Sequence, residues 1–174
     1  HGGSVGETTS AFLCASDEAY HDYEFADDLA LFGDGVNIIV IIDTCRSGGM
    51  FKSDDAQAPE WRFALNVQAL LTEKIAGAAT KGETRSGPSV GWMTACDWNE
   101  YSYDYGFTPP LVDGWTSGLA DTDSSGTVSA WEIFQYAKDN CHSPQTPQYY
   151  NRGLLLSTVM GKAGGAQAPR ITID

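Results

Sequence analysis

Residues 36–42, Val-Asn-Ile-Ile-Val-Ile-Ile, restrict the possible folds more than any other stretch, because every position but one is β-branched. Side chains branched at Cβ lose rotamer freedom in a helix and pack well on a pleated surface, so the run reads as a strand. An apolar run without polar alternation further predicts a central parallel strand covered on both faces. Parallel strands need crossover connections, and the flanking sequence offers helices for them. Residues 25–32 place Phe25, Leu29 and Phe32 on one helical face, with Gly33 and Gly35 as the stop. Residues 61–76 repeat that pattern with Phe63, Val67, Leu70 and Leu71. Further strands are expected at 11–15, 89–95 and 153–159, a short helix at 111–119 and another at 131–137. Residues 17–23, 81–88 and 99–105 read as loops, and 161–174, small and polar, as peripheral. Strands alternating with helices give an α/β layered fold with a mainly parallel sheet, in one domain and without internal repeats.

Bulk properties narrow the function. The 174 residues carry a formal net charge of −13, with 42% hydrophobic and 19% charged residues. Such a surface repels phosphate backbones, so nucleic acid is not an expected partner; cationic substrates and divalent ions are weakly favoured. No apolar run approaches the roughly 20 residues that span a bilayer, so no membrane partner is expected. Four cysteines, Cys14, Cys45, Cys96 and Cys141, are too few to staple a domain of this size, and their pairing cannot be read from spacing. The compartment stays open.

Chemistry gathers at the carboxyl ends of strands in open α/β sheets. Cys45 falls just past the strand at 36–42, within Asp43-Thr-Cys-Arg-Ser-Gly-Gly49, where two glycines allow a sharp bend and close substrate approach. A cysteine attacks as thiolate and needs a nearby base. His1, followed by Gly2 and Gly3, is a plausible partner with room beside it for a substrate carbonyl. Taken alone, a cysteine after a strand is more often a buried core residue.

His1-Gly-Gly3 together with Asp43-Thr-Cys-Arg-Ser-Gly-Gly49 resembles the caspase, metacaspase and legumain clan of cysteine peptidases. The 44-residue separation is near the about 50 of a caspase histidine upstream of its cysteine. Met93-Thr-Ala-Cys96 with Glu100, Ser102 and Asp104 is similar to the segment after the next strand in metacaspases. Gly106-Phe-Thr108 and Gln145-Thr-Pro-Gln148 look like bacterial caspase-like domains, so the resemblance covers His1 to about Leu156. It implies a caspase-like three-layer sandwich lacking the family's N-terminal strands, with an associated N-terminal fragment as one conceivable partner. It also implies a thiol protease with a Cys–His dyad and no catalytic cofactor. Cys45 would attack a protein or peptide carbonyl, the amides of Gly2 and Cys45 would hold the oxyanion, and His1 would protonate the leaving amine. Metacaspases place an acid lining the primary pocket where Asp43 stands, which implies cleavage after Arg or Lys, with Asp104 or Asp97 as second carboxylate. Asp43 could equally be a strand-end carboxylate capping backbone amides.

A second motif is Asp121-Thr-Asp-Ser-Ser-Gly-Thr-Val-Ser-Ala-Trp-Glu132, which fits the EF-hand loop. Oxygen ligands fall at Asp121, Asp123, Ser125, the Thr127 carbonyl, Ser129 and Glu132, with Gly126 at the sixth position and Val128 free to enter the core. The same residues could form an acidic Asx-turn loop ahead of a helix. Bacterial caspase-like domains carry a similar insert, which implies structural or regulatory calcium. Two rivals to the peptidase remain: an inactive homologue kept as a binding module, and a calcium-dependent interaction domain in which Cys45 is inert.

Overall fold

The computed structural model describes residues 2–4, 11–14, 18–44, 63–80, 86–97, 100–103, 106–141 and 144–163. Strands β1 (Gly2–Ser4), β2 (Ala11–Cys14) and β3 (Ala19–His21) form an antiparallel meander. Helix α1 (Asp22–Ala30) follows, then β4 (Asn37–Ile42), α2 (Phe63–Thr80) and β5 (Ser89–Thr94). Helix α3 (Thr108–Ser117) leads through a loop into β6 (Thr127–Ser129) and α4 (Ala130–Asp139). The chain continues through β7 (Gln148–Tyr150), α5 (Arg152–Ser157) and β8 (Val159–Lys162), which pairs antiparallel with β6.

The period-2 geometry of strands sorts the core. Ile38, Val40 and Ile42 of β4, with Val90 and Trp92 of β5, pack with Ala26 and Leu29 of α1 and Val67 and Leu71 of α2. Ile39 and Met93 point the other way, into Phe107, Leu111, Ile133, Phe134 and Leu155. Helices therefore cover both faces of the sheet. Trp92, Phe107 and Phe134 are each completely buried. An aromatic ring of this kind contributes about 4–6 kcal/mol of gross transfer free energy, before the entropy of ordering it. On the second face α3 and α4 cross closely. A Cβ on Gly114 would lie 2.5 Å from the Tyr136 ring, and the Tyr136 hydroxyl donates to Asp113 at 2.9 Å.

Several sequence expectations need correction. The sheet is mixed rather than mainly parallel: β4 and β5 pair parallel, but β7 pairs antiparallel with β5. The reason lies in the loop before β7. It is pinned at the carboxyl end of β5, where the Gln145 side chain donates to the Ala95 carbonyl, so a strand that starts opposite Thr94 must run backwards. Among the described residues strand β4 is an edge strand, not a central one. It ends the order β4-β5-β7, and Ile41 is 40% exposed. β-Branching specifies an extended strand and says nothing of its place in the sheet. The last strand expected at 153–159 is helix α5, because the Asn151 side chain accepts from the Leu154 amide at 3.2 Å and starts a helical turn. Residues 17–23 are not all loop; they hold β3 and the start of α1, with the Glu24 carboxylate accepting from the His21 amide at 2.8 Å. Part of the region read as peripheral, up to Lys162, belongs to β8.

Candidate active site and metal loop

The carboxyl ends of β4 and β5 meet three separate stretches of chain. Asp43, the first residue after β4, is exposed, and its carboxylate is heavily used. One oxygen accepts from the Ser102 hydroxyl. The other accepts from the Thr108 amide at 3.2 Å and the Thr108 hydroxyl at 2.6 Å. Thr108 is the first residue of α3, so Asp43 supplies from a distant strand the oxygen that a helix start requires. Thr44 follows, and its carbonyl accepts from the buried Cys96 thiol at 3.4 Å. Cys96 also reaches the Glu100 carbonyl at 3.5 Å.

A second set of bonds ties the segment after β5 to the loop before β7. Glu100 accepts from the Thr146 amide at 2.6 Å, the Thr146 hydroxyl at 2.8 Å and the Asp97 amide at 3.1 Å. Gln145, 7% exposed, donates to Ala95 at 3.0 Å and accepts from the Tyr103 amide at 2.8 Å. A Cβ on Gly106 would collide with the Gln145 carboxamide and stand 2.9 Å from the Tyr103 carbonyl, so only glycine fits there. Cys141 lies at the same end of the sheet. Burial pushes its thiol above the usual cysteine range, Gln145 hydrogen bonding opposes this, and Asp43, Cys96 and Glu100 push further upward.

Of the residues singled out from sequence, the structure brings Asp43 and Asp97 to this end of the sheet. Gly2 lies in β1 opposite Leu13. His1, Cys45 and Asp104 lie outside the described residues. Sequence reasoning gave no structural role to Thr108, Cys141, Gln145 or Thr146; it noted Thr108, Gln145 and Thr146 only through the family resemblance and Cys141 only as one of four cysteines. A single uncharged side chain in a loop carries no periodic signal. The proline after Thr146 and the helix end before Gln145 are the available hints.

The second motif folds as a helix–loop–helix. Helix α3 ends at Gly118, β6 occupies the seventh to ninth positions of the motif, and α4 starts at the tenth. Gly126 takes φ +78°, a left-handed backbone that favours glycine at the sixth position. Val128 is fully buried, as its position in the motif predicts. Asp121, Asp123 and Glu132 each aim a carboxylate oxygen into one region, with those oxygens within 4.8 Å of one another. Asp121 accepts from the Ser125 and Gly126 amides at 3.0 and 3.1 Å, and Asp123 from the Ser125 amide at 2.9 Å. Ser125 donates to the Thr127 carbonyl at 3.1 Å. Glu132 accepts from the Ser129 amide and hydroxyl, both at 2.9 Å, and from the Thr122 amide at 3.1 Å. Hydrogen bonds from Ser125 hold the Asp123 carboxyl below its ordinary value. For Glu132 burial pushes upward, but the bonds from Ser129 and Thr122 prevail and the net direction is down. Of the six predicted oxygen positions, the carboxylates of Asp121, Asp123 and Glu132 thus converge.

No family model matches this chain, and no curated protein matches it. It is similar in structure to protein GSU0716 from Geobacter sulfurreducens, solved by crystallography, with a TM-score of 0.51 and 19% sequence identity. The match covers 89% of this chain and 66% of the other, so the chain spans about two thirds of that protein's length. At that identity the likeness concerns the fold alone, and it agrees with the α/β architecture described above.

Proposed function

We propose that this chain is a caspase-like cysteine endopeptidase that cleaves after Arg or Lys, built on a caspase-like sandwich. One observation carries the reading. Three stretches that bear the family resemblance, far apart in sequence, converge at the end of β4 that leads into Cys45. Asp43 is bonded to Ser102 and Thr108, Thr44 to Cys96, and Ala95 to Gln145.

In this mechanism the Cys45 thiolate attacks the peptide carbonyl, and the amides of Gly2 and Cys45 stabilise the oxyanion. His1 gives a proton to the leaving amine, and water, deprotonated by the same imidazole, releases the acid and regenerates the thiol. Asp43, Asp97 and Asp104 supply negative charge for a basic side chain. The loop at 121–132 holds calcium in a structural or regulatory role and takes no part in bond cleavage. Its donor set supports this. Hard carboxylate, hydroxyl and carbonyl oxygens suit calcium, and oxygens bound at about 2.3–2.6 Å from one ion lie at most about 5 Å apart, in keeping with the 4.8 Å limit seen here.

One feature favours a second reading, that of an inactive caspase-like homologue serving as a calcium-dependent interaction module. Both Asp43 oxygens already accept bonds from the chain itself. Treating the full chain with a peptidyl electrophile ending in Arg, then mapping the modified thiol by mass spectrometry, separates the two. The peptidase requires labelling at Cys45 that is lost in His1→Ala. Equal modification of Cys14, Cys96 and Cys141, or none at Cys45, supports the second reading.

A further inference from the structure

Resting on the peptidase reading, we propose that Tyr101 and Tyr103 form an aromatic wall that selects substrates carrying a guanidinium or ammonium side chain. The segment 100–103 is pinned along one side. Glu100 is held by Thr146 and Asp97, Ser102 bonds Asp43, and the Tyr103 amide bonds Gln145. Its two aromatic side chains are exposed, Tyr101 60% and Tyr103 47%. Keeping two phenol rings in water on a backbone this firmly fixed gives little in burial. It does give a platform whose rings need not be ordered when a ligand arrives.

The charge around the platform identifies the ligand. Asp43, Asp97 and Glu100 stand beside these tyrosines in a chain of net charge −13, a field that draws cations. The carboxylates are nonetheless largely occupied. A carboxylate offers about four lone-pair sites, and the bonds to Ser102 and Thr108 take three at Asp43. Three donors likewise engage Glu100. The ring faces, whose negative quadrupole attracts guanidinium and ammonium alike, therefore add direct contact with an incoming cation to the charge of the carboxylates.

Two fluorogenic peptides, identical but for Arg or its neutral isostere citrulline before the scissile bond, provide the test. Each cation–π contact at an exposed site contributes about 0.5–1 kcal/mol, which is about two- to fivefold. Tyr101→Leu and Tyr103→Leu should each reduce the Arg-over-citrulline ratio of kcat/KM by about that factor. The double Leu variant should lower it about tenfold, and Phe at either position should restore it. Unchanged alkylation of Cys45 by iodoacetamide checks that each variant is folded. Leu variants with the full Arg preference would overturn the wall. So would Phe variants that lose as much as Leu, since hydroxyls rather than ring faces would then be responsible. Calorimetry of the two peptides on Cys45→Ser separates this inference from the peptidase reading. Tyrosine-dependent Arg binding without turnover by the unmodified chain would sink the peptidase and leave the wall; turnover without any tyrosine dependence would do the reverse.

Discussion

The Gln145 side chain closes a bridge from its own loop to the carbonyl of Ala95, 3.0 Å away at the end of β5, while its oxygen takes the Tyr103 amide at 2.8 Å. Both bonds are buried or partly so, and together they set the separation between the β5 end, the 100–103 segment and β7. Replacing Gln145 by Leu removes both and leaves a carbonyl and an amide without partners. Two lost bonds plus two unsatisfied groups should cost about 2–4 kcal/mol, a drop in melting temperature of about 5–12 °C for a domain of this length. Calorimetry measures it, and a drop below about 2 °C would show the bridge to be incidental.

Asp43 anchors α3 through Thr108. Asp43→Ala should destabilise the fold by about 1–2 kcal/mol, the cost of losing a helix N-terminal acceptor. It should also slow labelling of Cys45, because Thr44 and the chain beyond it lose their tie to Ser102. Asp43→Asn retains an acceptor and should recover part of the stability. Urea titrations together with labelling rates test both halves. Normal stability with abolished labelling would mean that the carboxylate acts on substrate instead of on the fold.

At Gly106 a methyl group would be driven against Gln145 and the Tyr103 carbonyl, whereas at Gly33 nothing lies within 4 Å. Gly106→Ala should therefore cost about 1–3 kcal/mol by overpacking, and Gly33→Ala should stay within about 0.5 kcal/mol of the parent. Paired denaturation curves decide it.

The acidic loop makes a prediction with a sign. Added calcium should raise the melting temperature of the parent chain, and neither Asp121→Ala nor Glu132→Gln should respond. With a chelator present the loop still reports on pH. The Glu132 carboxyl sits lower in the fold than its ordinary value of 4.5 because bonds from Ser129 and Thr122 outweigh its burial. A depressed carboxyl stabilises fully above that ordinary value, and the contribution disappears as pH falls through the lower folded value. The stability difference between the parent and Glu132→Gln should hold steady from pH 7 to about 5 and shrink below that. A difference unchanged down to pH 3 would show that those bonds do not depend on the ionised form.

Regular, repeated patterns were legible in the sequence. β4 followed from its β-branched run, α1 and α2 from apolar residues at helical spacing, and α4 as the continuation of the loop motif ahead of it. Short elements were not legible. β3 and β7 have three residues each, fewer than two alternations, and Leu154-Leu155-Leu156 reads as strand or helix until the Asn151 cap decides. The loop at 121–132 was readable because every position of its motif is local in the chain. The end of the sheet around Asp43 was only half readable. Asp43 could be found from the strand it terminates, but its bonds to Ser102 and Thr108 join residues 59 and 65 positions away, and no local pattern encodes such a pairing.

The crossing of α3 and α4 at Gly114 and Tyr136 joins these two regions mechanically. Helix α3 starts at the oxygen of Asp43 and ends just ahead of Asp121; α4 starts in the turn holding Glu132 and returns the chain to Cys141 and Gln145. The two rods are braced against each other, with the acidic loop at one end and the residues bonded to Asp43 and Gln145 at the other. A shift of fractions of an ångström in the acidic loop would be passed along both helices and felt first around Asp43 and Gln145.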